Sequence, residues 1–327
     1  MNKGTSFKKK RIFVTGASGK IGRKLVTRLL NEGYEVVALV RDKKKLPVRN
    51  QSLEIVESDI LQPNKYRKKI RECDYVYHLA AYQNIFDQNK NNFVRVNVEG
   101  TKLILEAIVK SKVKRLIYLS TVMVFKSTGK RKVDEKSPKK ASGNGNYYVE
   151  TKLLALKEIE KFKTVIPIVT LYPTIVIDPQ EIVGKDNKLI PSLQGFLWKI
   201  LGGGIPGGLM CMIGNRRRMM NYILIDDLIA SMINAMNKGK TGNDYILGGE
   251  NLTVENYLRD ALRMKGRMFI PIRFPIFLFK IISKMKIPKI KIIDFIVKSP
   301  PEDICVNSQR AINDLGLVVS RLSDYQT

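Results

Sequence analysis

The chain has 327 residues, 44% of them hydrophobic, with 58 Lys and Arg against 30 Asp and Glu, a formal net charge of +28. This length and apolar content allow a large buried core and exclude an intrinsically disordered chain. The polar, lysine-rich N-terminal residues lack the apolar core of a signal peptide, and no apolar run reaches the roughly 18 residues of a membrane span. The sequence therefore predicts a cytoplasmic protein.

The positive charge and the cysteines each restrict the class of partner. Excess positive charge attracts polyanions, but the cations are spread along the whole chain and no nucleic-acid-binding motif accompanies them, so we expect no specific nucleic-acid partner. The three cysteines, Cys73, Cys211 and Cys305, are scattered and do not have metal-ligand spacing. We therefore predict no metal site.

Three glycines near the N-terminus, Gly16, Gly19 and Gly22, form the pattern around which the sequence is organised. A short apolar run of β-branched and aromatic residues precedes them, an apolar pattern with helical spacing follows, and residues 35–40 form a second apolar run. Strand, glycine loop, helix and strand in about thirty residues is the unit that binds a dinucleotide, because bare backbone N–H groups at the helix start can approach the diphosphate.

The sequence Thr15-Gly16-Ala17-Ser18-Gly19-Lys20-Ile21-Gly22 has GxxGxxG spacing and resembles the cofactor loop of the extended short-chain dehydrogenases and reductases. The resemblance implies an α/β fold with a doubly wound parallel (Rossmann) sheet and a small C-terminal α/β substrate domain. It places the dinucleotide-binding domain at residues 1–177 and the substrate domain at residues 178–327, with residues 221–238 returning to the first domain.

The same resemblance implies a set of cofactor-binding residues along the chain. These are Gly16, Ser18, Gly19, Lys20, Ile21, Gly22, Arg41, Asp59, Ile60, Leu79, Ala80, Ala81, Asn97, Lys152 and Pro173.

At two of these positions, Arg41 and Asp59, the sequence allows more than one role. Arg41 follows the second predicted strand, where a cation suits the 2′-phosphate of NADP(H), so NADP(H) is favoured, while neighbouring Asp42 leaves NAD(H) open. Asp59 is expected beside the adenine, or as the cap of a helix beginning near Asn64. His78, the only histidine, matches a structural position of the family and is not expected to be a base.

The predicted catalytic residues follow the fifth strand. Tyr148 and Lys152 are spaced i, i+4, which puts phenol and ammonium on one helix face, where the cation is expected to lower the phenol pKa. By resemblance Tyr148 is the acid/base, Lys152 also holds the nicotinamide ribose, and Thr121 hydrogen-bonds the reacting oxygen, with Ser120 as the alternative.

The C-terminal half carries further resemblance. Residues 242–253 are similar to the branch of dihydroflavonol-reductase-like proteins and hopanoid-associated sugar epimerases. Nucleotide-sugar epimerases usually carry an Arg where this chain has Met220, and the family as a whole has Gly where this chain has Asp178. Residues 202–208 are interpreted as a mobile substrate loop, and residues 268–299 as a lid over the substrate, or as a segment lying on an anionic membrane surface.

These observations predict an NAD(P)-dependent oxidoreductase that transfers a hydride between NADP(H) and a ketone or secondary alcohol, with a small molecule as substrate. Two alternatives remain open: a nucleotide-sugar epimerase or dehydratase with tightly bound NAD(P), and a non-catalytic cofactor-binding subunit. By resemblance, a homodimer would form through residues 90–110 and 147–162.

Overall fold

A seven-stranded sheet in which every pair of neighbouring strands is parallel lies at the centre of the fold. The computed structural model describes residues 9–84, 87–109, 111–127, 131–143, 145–183, 209–213, 217–264, 270–274 and 303–325. The strands of this sheet are β1 (Arg11–Thr15), β2 (Glu35–Val40), β3 (Leu53–Glu57), β4 (Tyr75–His78), β5 (Arg115–Leu119), β6 (Ile168–Pro173) and β10 (Asp244–Leu247).

The spatial order of the strands is β10-β6-β5-β4-β1-β2-β3. The order therefore reverses between β1 and β4, which pair directly, with Thr15 opposite His78. In doubly wound sheets a ligand binds in the crevice at the carboxyl ends of the strands at this reversal. The fold thus places the end of β1 and the residues after β4 at the expected dinucleotide site.

Helices cover both faces of the sheet, as near-continuous apolar strands such as β2 require. They are α1 (Lys20–Asn31), α2 (Arg67–Arg71), α3 (Lys90–Phe93), a π-helical turn (Val94–Glu99), α4 (Gly100–Val109), α5 (Tyr147–Phe162), α6 (Pro179–Val183), α7 (Ile225–Lys238), α8 (Val254–Arg263) and α9 (Gln309–Leu315). The α1, α7 and α9 helices share one apolar core with the sheet, and α2, α4 and α5 share the other.

A smaller part of the structure adjoins the carboxyl end of β6. Here β7 (Ile175–Ile177), β9 (Met219–Leu224) and β11 (Asn251–Thr253) form a three-stranded sheet in the order β11-β9-β7. A third sheet pairs β8 (Leu209–Ile213) with β12 (Ile270–Phe274). The apolar faces of β7, β9 and α8 pack together into a separate core.

The predicted fold class, a doubly wound parallel sheet, is confirmed. The predicted return of residues 221–238 matches β9 and α7, and two further elements of the C-terminal half also join the large sheet: β10 pairs with β6, and α9 packs on β10. The domain boundary at residue 177 stays a prediction.

Within the described residues, no helix is long and apolar enough to span a membrane.

Several element boundaries differ from the sequence predictions. The helix expected to open at Asn97 begins at Lys90 and passes through the π-helical turn, and the helix expected near Asn64 is α2, which starts at Arg67. Residues 202–208 lie outside the described residues, as do residues 275–299 of the predicted lid. Where the lid segment is described, it forms strand β12 rather than helix.

Candidate active site

The glycine loop joins β1 to α1 in a conformation that requires glycine at two of its positions. Gly16 has φ +67°, and a Cβ there would lie 2.8 Å from the backbone N of Ala80. A Cβ on Gly22 would lie 2.1 Å from the carbonyl oxygen of Gly16. The N-cap of α1 is Gly19, which has no side chain to occupy the helix N–H groups. The cradle therefore fits a diphosphate, which helix N-termini attract.

The residues after β4 form the second wall of this cradle. Thr15 Oγ1 accepts hydrogen bonds from the backbone N–H groups of Leu79 and Ala80, both at 3.1 Å. These bonds hold the 79–80 backbone against Gly16, at the point where the strand order reverses. The structure thus brings the predicted cofactor residues Leu79, Ala80 and Ala81 next to the glycine loop.

Asp42 and Arg41 follow β2, at the position where a cofactor ribose is expected to bind. The Asp42 carboxylate accepts a hydrogen bond from the backbone N–H of Lys44 at 2.9 Å and so closes a local turn. Arg41 is exposed beside it. Oδ1 of Asp42 is therefore engaged in its own turn, and an exposed cation lies beside it.

Asp59 and Ile60 follow β3. The Asp59 carboxylate accepts from the backbone N–H of Leu61 at 2.8 Å, so it closes a turn and does not cap α2, whose N-cap is Tyr66. Ile60 is buried, and its side chain would be 3.0 Å from a Cβ at Gly100. This packing explains a glycine at position 100.

Asn97 lies in the π-helical turn and is buried. Its Oδ1 accepts from the backbone N–H of Tyr82 at 2.6 Å, while its Nδ2 donates to Tyr82 O at 3.0 Å and to Thr151 Oγ1 at 2.9 Å. Asn97 therefore braces the loop after β4 and the first turn of α5 rather than facing the open cradle.

Tyr148 and Lys152 lie on successive turns of α5, and the predicted lowering of the tyrosine pKa is wrong for this structure. Burial raises the pKa of Tyr148 to about 12 and lowers that of Lys152 to about 7. The Lys152 ammonium donates to the carbonyl oxygen of Leu119 at 2.8 Å and lies 5.0 Å from the Tyr118 ring centroid. It is bound to the sheet, and desolvation dominates the pKa of both groups.

Thr121 and Ser120, the two candidates for the substrate hydroxyl, differ in accessibility. Thr121 Oγ1 accepts from the backbone N–H of Met123 at 3.3 Å, which leaves its own hydrogen free to donate. Ser120 Oγ is inaccessible to solvent and has no hydrogen-bond partner within the described part of the chain. Both residues are buried, and the inaccessibility of the Ser120 oxygen favours Thr121.

Two ion pairs connect α1 to α6, the segment that follows β7. Lys20 Nζ lies 2.8 Å from Glu181 Oε2, and Lys24 Nζ lies 3.3 Å from the buried carboxylate of Asp178. Sequence reasoning placed Lys20 at the cofactor and did not find its partner. The i, i+4 spacing of Lys20 and Lys24 was the available signal, but the partners are far away in sequence.

The carboxyl ends of β5 and β6 are adjacent, because these strands pair in parallel with Leu119 opposite Leu171. Pro173 is buried at the end of β6 and pairs with Leu247. Next to these strand ends, Met123 and Ile175 are 38% and 41% exposed, so the edge above Thr121 carries apolar surface. Met220 is buried in the core beside Ile177 and Ile182 and is directed away from solvent.

The glycine cradle, the strand reversal and the Tyr148, Lys152 and Thr121 positions together define a dinucleotide-dependent enzyme of the short-chain dehydrogenase/reductase type. The sequence profile of the NAD dependent epimerase/dehydratase family matches residues 12–248. The chain belongs to this family, whose members are NAD-dependent reductases, epimerases and dehydratases acting on small molecules.

Individual relatives resemble nearly the whole chain. A dihydroflavonol 4-reductase of Gerbera hybrida is 26% identical over 286 residues, covering 81% of this chain and 75% of that protein. The sterol demethylase protein B of Methylococcus capsulatus is 24% identical over 270 residues, covering 80% and 77%. A solved structure of UDP-glucuronic acid 4-epimerase from Bacillus cereus, with UDP-glucuronic acid and NAD, has a TM-score of 0.71 at 21% identity, covering 96% of each chain.

These comparisons confirm the predicted family, the nicotinamide cofactor and the predicted class of enzyme. They do not test the individual site residues, which stay predictions. Among the residues that the structure describes, no group of three or more His, Cys, Asp or Glu side chains could hold a metal ion.

Proposed function

We propose that this protein is an NADP(H)-dependent reductase that converts an apolar ketone to a secondary alcohol. The observation that carries this proposal is the placement of Tyr148 on α5, one turn before Lys152, whose ammonium is bonded to Leu119 at the carboxyl end of β5. With the pKa of Tyr148 raised to about 12, its phenol is protonated at neutral pH and is ready to donate to a substrate oxygen that gains negative charge. Proton donation to that oxygen completes the reduction of a carbonyl to an alcohol.

In this proposal each residue has a distinct task. The N-terminus of α1 and the glycine cradle bind the cofactor diphosphate, and Lys152 holds the nicotinamide ribose. A bound NADPH supplies the hydride. Thr121 donates a hydrogen bond to the carbonyl oxygen, which orients and polarises it, and Tyr148 gives its proton to that oxygen as the alcohol forms.

The surface beside this site supports an apolar substrate. Met123 and Ile175 are exposed at the carboxyl edge of β5 and β6. Met220 is buried in the core and is not part of this surface, but it occupies the position where nucleotide-sugar epimerases usually carry an Arg, so this chain has no cation there. Apolar walls with a few polar groups are typical of sites for small hydrophobic ligands. A phosphate-bearing substrate would require cations at those positions.

The preference for NADP(H) rests on the end of β2. Because Asp42 is bonded to its own turn and Arg41 is exposed, the cation is the group available to a 2′-phosphate. The hydrogen bond to Asp87 is the chief cause of a raised pKa of the Tyr82 phenol. The positive charge of Arg41 acts in the opposite direction on the same pKa.

The test is NADPH oxidation with a panel of ketones of increasing alkyl length, using the wild type and Tyr148→Phe. We expect the wild type to consume one NADPH for each ketone reduced. In Tyr148→Phe the rate of NADPH oxidation should fall about 100-fold or more, with unchanged NADPH affinity. Equal rates in both proteins would contradict the role of Tyr148.

Nucleotide-sugar epimerisation is the second candidate, favoured by the similarity of the whole fold to UDP-glucuronic acid 4-epimerase. Incubation with UDP-glucuronic acid and NAD, followed by NMR of the sugar, separates the two. Epimerisation without net cofactor consumption would replace the reductase proposal.

The homodimer predicted through α4 and α5 belongs to the same proposal. Lys90 of α3 contacts Glu150 of α5 at 2.6 Å, and α4 packs beside α5, so the two predicted segments lie next to each other. Val109 of α4 is 45% exposed. Sedimentation velocity of the purified protein tests the dimer, and a single species at the monomer mass would exclude it.

A further inference from the structure

His78 lies at the end of β4 and is 1% exposed. Both of its ring nitrogens have partners: Nδ1 is 2.8 Å from Thr15 Oγ1, and Nε2 is 2.9 Å from Thr101 Oγ1. The imidazole therefore connects the strand before the glycine loop with the start of α4.

The neighbouring hydrogen bonds determine where the protons are. Thr15 Oγ1 already accepts from the N–H groups of Leu79 and Ala80, so its own hydrogen is left for His78 Nδ1. The ring proton is then on Nε2 and is donated to Thr101 Oγ1. The Thr101 hydrogen goes to the carbonyl oxygen of Asn97 at 2.6 Å.

This assignment makes the ring neutral. Burial, aided by the charge of Lys152, lowers the pKa of His78 to about 3. A second ring proton would point at the Thr15 hydroxyl hydrogen and break the arrangement. His78 is therefore unsuited to proton transfer with a substrate, in agreement with its burial.

Beyond Thr101 the hydrogen bonds continue to α5. The Asn97 side chain donates to Thr151 Oγ1, and Thr151 donates to the carbonyl oxygen of Tyr147 at 2.7 Å. Thr151 lies in the turn between Tyr148 and Lys152. Buried polar contacts thus connect the wall of the cofactor cradle with the helix that carries the acid/base. They pass through Asn97, whose carbonyl oxygen accepts from Thr101 and whose side chain donates to Thr151.

We propose that His78 is a positioning residue that, as a neutral Nε2–H imidazole, keeps the 79–80 backbone of the cofactor cradle aligned with Tyr148 on α5. The inference rests on the proposed function for the role of Tyr148. Thr15, His78, Thr101, Asn97 and Thr151 together form the cradle-to-helix network. Misplacing a catalytic group by about 1 Å can cost on the order of 100-fold in rate.

Because the chain has one histidine, NMR of tag-free protein labelled with ¹⁵N-histidine reports on this ring alone. We expect Nε2 protonated and Nδ1 unprotonated, without change between pH 5 and 9. The other tautomer, or titration near the ordinary histidine pKa, would overturn the proposal. This measurement needs no turnover, so it separates failure of this inference from failure of the proposed reaction.

Thr101→Val removes the hydroxyl that joins His78 to Asn97 while keeping the side-chain shape. We expect kcat to fall about 10- to 100-fold and NADPH affinity, measured by calorimetry, to fall about 3- to 10-fold, with the midpoint of the pH–rate profile unchanged. Thr101→Ser, which keeps the hydroxyl, should restore both values to within about 3-fold.

The matched control is Thr170→Val, the same change at a buried threonine of β6 whose hydroxyl has no hydrogen-bond partner among the described residues. It should leave kcat and NADPH affinity within about 2-fold of the wild type. Identical behaviour of Thr101→Val and Thr170→Val would show that the network positions nothing.

A double-mutant cycle provides a second test of the network, and the histidine NMR of the wild type tests the proposal even where Thr101→Val is poorly folded. Thr151→Val cuts the same network at its other end. We expect the effects of Thr101→Val and Thr151→Val on NADPH affinity to be strongly non-additive, since a path already broken has little more to lose. Additive effects would mean that the two threonines act independently, and the proposal would fail.

Discussion

The Lys20 ammonium at the start of α1 lies 2.8 Å from the Glu181 carboxylate of α6. This pair places a carboxylate beside the helix N-terminus that is proposed to bind the cofactor diphosphate. We expect Lys20→Met to weaken NADPH binding about tenfold, because the negative charge of Glu181 then opposes the diphosphate without compensation. Calorimetric titration measures the affinity.

The double variant Lys20→Met/Glu181→Gln is the control for this charge effect. It should recover most of the lost affinity, and Glu181→Gln alone should bind NADPH at least as tightly as the wild type. If the double variant binds as weakly as Lys20→Met, Lys20 acts by direct contact rather than through Glu181.

The two hydroxyls after β5 should differ in their effect on catalysis. Thr121→Val removes the proposed hydroxyl donor, and we expect kcat to fall on the order of 100-fold. Thr121→Ser should keep most of the activity, and Ser120→Ala should change kcat less than about 3-fold, because the Ser120 oxygen is inaccessible. Steady-state NADPH oxidation measures these rates, and a large loss in Ser120→Ala would reverse the assignment.

The burial of Lys152 predicts a pH-dependent stability. Its pKa is lowered from 10.5 to about 7, so between these values the unfolded chain binds more protons than the folded protein and stability rises with pH. Below pH 7 the folded protein carries the full cost of the buried charge. Lys152→Met lacks this cost.

We therefore expect the Tm of Lys152→Met relative to the wild type to be highest at pH 6 and to decrease towards pH 10. Differential scanning calorimetry of the cofactor-free proteins measures the two Tm values. A difference that stays constant over this pH range would show that the buried ammonium is not the cause.

Cofactor preference should depend on Arg41 and not on Asp42. Arg41→Ser is expected to weaken NADPH binding about tenfold with little effect on NADH, as loss of a charge-assisted contact to the 2′-phosphate requires. Asp42→Asn should leave NADH affinity within about 2-fold, because its carboxylate is bonded to Lys44 N. Weaker NADH binding in Asp42→Asn would instead assign the ribose to Asp42.

The sequence predicts those parts of the structure that local patterns determine. The glycine triplet, the apolar runs and the helix before Gly33 identified β1, α1 and β2 because each depends on residues close together in the chain. The π-helical turn was not predictable in this way. It depends on Asn97 bonding to Tyr82 and Thr151, which lie in other elements.

The same limit applies to the electrostatics of the candidate site. The i, i+4 spacing of Tyr148 and Lys152 correctly places both on α5, but it does not reveal that Leu119 O and the Tyr118 ring hold the ammonium. Nor does spacing reveal that Lys152 is buried while Tyr148 keeps partial exposure to solvent. Their pKa values depend on desolvation and required the three-dimensional structure.

The pairing of β10 with β6 has a consequence for how the protein is made. During synthesis β6 leaves the ribosome long before β10. The apolar strand β6 therefore has an unpaired edge until β10 is made. Such edges template aggregation. A gene fragment ending at residue 177 would expose this edge permanently, and we expect it to be recovered as insoluble material, whereas a fragment extended through Leu247 carries the strand that covers it.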